Sequence, residues 1–205
     1  MGVIYVPATE DLYFAAKELG SFKISAASEE FKKWSDETAA VKGISSSDDE
    51  TAVVKGINSP DHETSGGSEN AELINEDCDA FINNLTLISE KLHVSDNTDI
   101  PELKVVMSSS HGCAEMDALI EKHNLKNFVA MGSSLKGCLV AEGKADIYYR
   151  YNPTMEWDTA AMQCIVEEAG AIFRQMDDSP MTYNREDSLN AKGFYIINNE
   201  KNRIR

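Results

Sequence analysis

Apolar residues along the chain fall into short runs whose spacing changes from place to place. Gly2 to Val6 reads as a buried strand; a Pro-Ala-Thr-Glu-Asp turn follows, and Leu12 to Ala16 with Ser21 to Ile24 continue a strand meander. From Ser25 to about Ser68 the apolar runs give way to polar text. Helical spacing then resumes at Leu73, Ile74, Phe81, Ile82, Leu85, Ile88 and Leu92, which predicts one amphipathic helix. Beyond it, strands are expected at Leu103 to Met107, Phe128 to Met131, Ala145 to Tyr149, Ala171 to Gln175 and Gly193 to Asn198. Helices are expected at Ala114 to His123, at Ser134 to Ala141 with Gly143 closing it, and at Thr159 to Ala169. Strands alternating with helices give an α/β class with a partly parallel sheet. Three regions follow: a strand meander over 1–24, an insertion over 25–68, and an α/β domain over 69–205.

The polar insertion changes how the charge is read. The chain of 205 residues carries a formal net charge of −16. Residues 25–100 hold 17 Asp and Glu against 5 Lys and Arg, leaving 18 against 14 elsewhere. The part with core-forming patterns is therefore close to neutral and can accept an anion through a few local cations. Within the insertion, SDETAAVKGI at Ser35 to Ile44 returns as DDETAVVKGI at Asp48 to Ile57. Two copies fall short of a stacking repeat, and the acidic, Ser-rich context with SGGS at Ser65 to Ser68 predicts a disordered surface segment. No cluster of Lys and Arg suits a nucleic-acid polymer. No 18-residue apolar run predicts a membrane span, and no basic segment leading into an apolar one opens the chain. Cys78, Cys113, Cys138 and Cys164 form no CxxC pair, so a reducing, cytoplasmic setting is expected.

Few residues are placed to carry chemistry. Asp158, in Trp157-Asp158-Thr159-Ala160-Ala161, sits at the mouth of a helix, where an aspartate is either an N-cap or a hard oxygen ligand for a cation. Trp157 is expected to anchor that turn in the core. Gly132-Ser133-Ser134-Leu135-Lys136 lies where a strand passes into a helix, a place that suits a phosphate and equally an ordinary serine cap. Arg150 ends a strand; it is either a guanidinium fork for phosphate or a surface partner of Glu156. His111 follows a buried strand in Ser108-Ser109-Ser110-His111-Gly112, at the strand end where α/β proteins place ligand groups. Tyr148, Tyr149 and Tyr151 read as cross-strand packing, and Met155, Met162 and Met176 as core fill.

Three blocks together carry a resemblance: GVIYVPATEDLYFAAKELGSFK at Gly2 to Lys23, GSSLKGCLVAEGKADIYYR at Gly132 to Arg150, and WDTAAMQCIVEEAG at Trp157 to Gly170. The chain resembles the inositol monophosphatase superfamily, and within it the 3'(2'),5'-bisphosphate nucleotidases. The resemblance implies the layered αβα part of an αβαβα sugar-phosphatase sandwich, truncated at the N-terminus and interrupted by the acidic insertion. It implies that Asp158 binds Mg²⁺ at the substrate's phosphate, and that His111, Gly132, Ser133, Lys136 and Arg150 contact a small nucleotide bisphosphate. Arg150 stands where inositol monophosphatases tend to carry a glutamate, which favours the extra phosphate.

The implied activity is conversion of adenosine 3',5'-bisphosphate to AMP, clearing a by-product of sulfate assimilation. No DPIDGT-type loop or paired-glutamate segment occurs, so the implied N-terminal metal-binding half is expected to come from elsewhere, either a longer open reading frame or a separately encoded half, and homo-oligomers are a further expected partner. This chain is then expected to hydrolyse little alone. Met162 stands where many relatives have glycine and is expected to crowd a neighbouring element. An inositol or fructose phosphate phosphatase, and a non-catalytic nucleotide-binding remnant, are the competing expectations.

Overall fold

The computed structural model describes residues 1–33, 82–108 and 113–205. The two acidic repeats lie outside the described residues, as do residues 73–81 of the expected amphipathic helix and His111 with Gly112. The described chain divides into two compact units, Met1–Ser25 with Glu90–Arg205, and Ala26–Ser89. In the smaller unit, residues 27–33 and 82–87 are helical.

The larger unit holds two main sheets and a two-stranded ribbon. β1 (Gly2–Val6), β2 (Asp11–Ala16), β3 (Gly20–Ile24) and β4 (Glu90–Lys91) form an antiparallel sheet in that order. β4 corrects one expectation: the helix predicted through Leu92 stops by residue 87, and Glu90 and Lys91 pair instead with Lys23 and Phe22 of β3. The competing pull is the unpaired edge of β3, which continues when the Leu92 amide donates to the Ser21 carbonyl at 2.7 Å.

The second sheet contains β5 (Lys104–Ser108), β6 (Asn127–Met131), β7 (Ile147–Arg150), β9 (Ile172–Gln175) and β11 (Phe194–Ile197), in the order β6-β5-β7-β11-β9. β5 runs parallel to β6 and β7, and β11 is antiparallel to both its neighbours. A short ribbon of β8 (Thr154–Met155) and β10 (Leu189–Asn190) lies apart. The helices are α1 (Ala114–His123), α2 (Leu135–Ala141) and α3 (Glu156–Glu168).

Alternation along β7 sorts the core into two. Ile147 and Tyr149 join Val105, Tyr195 and Ile197 against Met116 and Leu119 of α1. Tyr148 faces the other way with Val106, Phe194 and Ile196, against Cys138 and Val140 of α2 and Met162, Ile165 and Val166 of α3. Tyr13 and Ala15 of the first sheet close that second cluster, so α2 and α3 lie between the sheets and α1 covers the far face. The expected layered α/β class is the observed one, and the main sheet is partly parallel as expected, with β11 as its antiparallel member. The tyrosines pack as the alternation predicts: Tyr149 stacks on Tyr195 with ring centroids 5.7 Å apart, and Tyr148 meets the Phe194 edge at 5.5 Å. Asp146, buried at the head of β7, accepts from Asn97 Nδ2 at 2.9 Å, from the Lys104 amide at 2.7 Å and from the Ser95 hydroxyl, which ties the approach segment to the main sheet.

α3 starts earlier than expected, at Glu156, so Asp158 is its third residue and not its cap. Its carboxylate reaches back to accept the Met155 amide at 2.8 Å, closing the first turn in the manner of a capping box. Trp157 does not anchor the turn: it is 69% exposed. Met162 is 2% exposed in the core, as core fill should be. The crowding expected of it is relieved by Gly137 on α2, where an added Cβ would fall 2.4 Å from Met162 Cγ and 2.5 Å from its Sδ. Gly137→Ala should therefore cost about 1–3 kcal/mol by overpacking, and Met162→Ala about 2–5 kcal/mol by leaving a cavity. Urea unfolding of both single variants and the double variant should show each change offsetting the other by at least about 1 kcal/mol; additive costs would contradict the contact.

Candidate functional site

A cavity of about 280 Å³ opens where the parallel strands end, between the main sheet and the first turns of α2 and α3. Such strand ends are where open α/β sheets receive ligands. Ser108 comes from the end of β5, Ser133 and Ser134 from the turn after β6, and Tyr148 and Arg150 from β7. Thr154 comes from β8, Asp158, Thr159 and Met162 from α3, and Phe194 from β11. Of the residues singled out in the sequence, Ser133, Lys136, Arg150 and Asp158 are brought together here. Gly132 is not among the lining residues, and His111 lies outside the described residues.

Two cations dominate the electrostatics. Lys136 is 6% exposed, with Nζ 5.5 Å from the centroid of the Tyr148 ring. Burial, and then the Arg150 guanidinium close by, hold its ammonium below the ordinary lysine range. Arg150 Nε is buried with no hydrogen-bond partner. Among the described residues neither side chain forms an ion pair with a carboxylate. The alternative partner for Arg150 is spoken for: Glu156 binds Arg185 Nε at 2.8 Å and the amides of Asn184 and Arg185 at 3.0 and 3.1 Å. Although desolvation opposes it, those hydrogen bonds keep the Glu156 carboxyl below its usual range, as a carboxylate. Burial pushes the Tyr148 phenol up to about 12, so it stays neutral under the cations.

Strain and cross-links shape the same corner. Ser133 holds φ +50°, a left-handed conformation that costs a non-glycine residue about 1 kcal/mol or more. Ser134 Oγ donates to the Asp158 carbonyl at 3.1 Å and so latches the start of α2 to the start of α3. The residues that the sequence reading passed over are Ser108, Ser134, Thr154, Thr159 and Phe194 on the wall, with Arg185 and Asn190 behind it. Ser108, Ser134 and Thr159 lay inside the quoted motifs without being singled out, and the local sign of Arg185 and Asn190 was the polar run Tyr183 to Asn190, whose purpose depends on β10 pairing with β8.

Asp158 offers one exposed carboxylate, and one of its oxygens already accepts the Met155 amide. Among the described residues no group of three or more His, Cys, Asp or Glu is arranged to hold a metal ion. Mg²⁺ requires a near-octahedral shell of oxygens; a single carboxylate facing an ammonium and a guanidinium does not fit it. The described donor set fits an oxyanion.

Comparison with known proteins adds to this geometry. The family model described as Inositol monophosphatase family matches residues 73–202. The 3'(2'),5'-bisphosphate nucleotidase CysQ of Escherichia coli strain K12 is 39% identical over 92 residues, which are 45% of this chain and 37% of that protein. Its counterpart in Aggregatibacter actinomycetemcomitans is 36% identical over 95 residues. The chain thus spans little more than a third of these curated relatives. The crystal structure of CysQ from Bacteroides thetaiotaomicron, a bacterial member of the inositol monophosphatase family, superposes with a TM-score of 0.62 at 31% identity, covering 97% of this chain and 58% of that one. Inositol monophosphatase from Anabaena superposes with a TM-score of 0.53 at 17% identity, a likeness of fold alone.

Proposed function

The chain belongs to the inositol monophosphatase family, and from that premise we propose that its pocket binds a nucleotide bisphosphate, adenosine 3',5'-bisphosphate in particular, as part of a 3'(2'),5'-bisphosphate nucleotidase. The observation that carries the reading is the pair of unpaired cations, Lys136 and Arg150, on one cavity wall. A phosphate monoester near neutral pH carries close to two negative charges and three acceptor oxygens. The guanidinium can fork two of them while the ammonium takes another as a point charge. A substrate with two phosphates uses both cations better than an inositol monophosphate does. The resemblance of the matched relatives to named nucleotidases supports the same choice.

In this reading Ser133 and Lys136 hold the phosphates from the α2 side and Arg150 from β7, while the Asp158 carboxylate on α3, which only accepts, is left to a sugar hydroxyl or to a metal completed by ligands outside the described residues. The family's enzymes are generally metal-dependent, typically on Mg²⁺. Because the described residues do not make a magnesium shell, they are assigned the binding and orientation of the ester and not the activation of water. Further acidic ligands would come from outside the described residues or from a second chain, and hydrolysis by this chain alone is expected to be weak. Among the described residues no helix is long and apolar enough to cross a membrane; a cytoplasmic enzyme acting on a by-product of sulfate assimilation is the setting proposed. Parallel calorimetric titrations with adenosine 3',5'-bisphosphate, AMP and inositol 1-phosphate test the reading. The bisphosphate should bind at least about tenfold more tightly than either monophosphate, as expected for one additional charged contact. Tighter binding of inositol 1-phosphate would overturn it.

Lys136 gives a pH signature. An anion bound beside it favours the ammonium, so affinity is full while the free-state ammonium persists and falls once pH exceeds its depressed pKa. For phosphate already in its dianionic form, the fall should begin below the ordinary lysine value of 10.5, and Lys136→Arg should remove it. A flat profile in the parent protein up to that value would contradict the role of Lys136.

A further inference from the structure

Behind the pocket wall, one buried amide decides what a neighbouring hydroxyl can offer. Asn190 is 1% exposed. Its Oδ1 lies 2.6 Å from Arg185 Nη2, and since a guanidinium only donates, the atom facing Arg185 is the oxygen and the amide cannot be flipped. Nδ2 therefore points the other way and donates to Thr159 Oγ1 at 3.2 Å and to Thr154 Oγ1 at 3.3 Å. Both threonines line the cavity.

The two hydroxyls differ in what remains. Thr159 Oγ1 spends its hydrogen on the Glu156 carbonyl at 3.2 Å. Thr154 Oγ1 accepts from Asn190, and among the described residues no acceptor takes its hydrogen. A hydroxyl carries one hydrogen and accepts through two lone pairs. With one lone pair held by a buried amide, the Thr154 hydrogen is directed away from Asn190 and toward the open side, the cavity. Arg185 is itself fixed by Glu156 and by the Leu189 carbonyl at 3.2 Å, so the chain from Glu156 through Arg185 and Asn190 sets the polarity of the hydroxyl.

We propose that Thr154 is a ligand-binding residue, donating its hydroxyl hydrogen to a phosphate oxygen of the ester held by Lys136 and Arg150, and that Asn190 is the positioning residue that imposes this polarity. The inference rests on the phosphate-binding reading of the pocket and adds to it a neutral, directional donor from β8. A donor of this kind discriminates by geometry where two cations attract any anion.

The test titrates the full chain with adenosine 3',5'-bisphosphate, and separately with inorganic phosphate, in four forms: the parent protein, Thr154→Val, Thr154→Ser and Asn190→Asp. Thr154→Val keeps the shape and removes the hydroxyl; affinity should fall about tenfold, the usual loss when a hydrogen bond to a charged group is withdrawn. Thr154→Ser restores the hydroxyl and should bind within about twofold of the parent, a difference far below that loss. Asn190→Asp keeps the volume and gains an ion pair with Arg185, but an aspartate can only accept, so it draws the Thr154 hydrogen away from the cavity. It should match the Thr154→Val loss while its thermal midpoint stays at or above that of the parent, a combination that simple loss of structure does not produce. Parent-like affinity in Thr154→Val, or in a folded Asn190→Asp, overturns this inference and leaves the phosphate-binding reading standing. Absence of binding of either probe to the parent protein overturns both.

Discussion

Replacing Arg150 with methionine is expected to weaken binding of adenosine 3',5'-bisphosphate by a factor of about 30, corresponding to about 2 kcal/mol for a charge-assisted contact made away from bulk water. The same change should leave the thermal midpoint unaltered or raise it. Arg150 reaches the pocket with its Nε buried and unpaired, so the free protein bears the cost of that group and the ligand relieves it. Methionine fills a similar volume and removes the cost. Lysine at the same place should fall between the two, because it keeps the charge and loses the fork. Calorimetric titration and a thermal melt of the three proteins read both halves of the expectation. A variant that loses affinity only together with a large drop in midpoint would assign Arg150 to the framework instead of the ligand.

Gly193→Ala should be among the most damaging small substitutions in the chain. Gly193 has φ +70°, and a Cβ there would lie 2.2 Å from the Arg150 carbonyl oxygen and 3.0 Å from that of Tyr151. These are backbone atoms at the start of the β7–β11 pairing, where Phe194 faces Arg150, and they cannot rotate away as a side chain would. Left-handed strain adds to the overlap, for a combined cost of about 2–4 kcal/mol. The displaced strand carries Arg150, so whatever folds should also bind the bisphosphate more weakly. Denaturant unfolding followed by titration of the folded fraction checks both. Parent-like stability would show that the turn at Gly193 tolerates a side chain.

The parts of this molecule that were legible in the sequence are those fixed by local pattern. The helix expected over Ala114 to His123 has those limits, and Tyr148 and Tyr149, read from their alternation as cross-strand packing, pack on opposite faces of β7. Three blocks of motif led to the family that the comparisons support. The departures come from interactions between segments distant in sequence. Glu90 and Lys91 follow a helical pattern yet pair with β3, because an open strand edge outweighs a weak propensity. Asp158 sits at a helix start by any local rule, but the helix begins at Glu156, which the Ser188 carbonyl and the 184–185 amides bind from about thirty residues away.

The candidate site divides in the same manner. Lys136, Arg150 and Asp158 carry charge and stand beside recognisable turns, so the residues themselves signalled chemistry. Thr154 and Thr159 do not, because a threonine becomes a directed donor only through the amide that holds it, and that amide belongs to Asn190. The packing of Met162 against Gly137 was half legible: the larger side chain was visible in the sequence, but the glycine that accommodates it lies on another helix.

The most direct measurement is a crystal structure of the full chain with adenosine 3',5'-bisphosphate. A pocket built around Lys136 and Arg150 predicts phosphate oxygens within about 3 Å of both Lys136 Nζ and the Arg150 guanidinium, with Thr154 Oγ1 at hydrogen-bond distance from the same ligand. A phosphate bound elsewhere, with Lys136 and Arg150 still unpaired, would contradict the account.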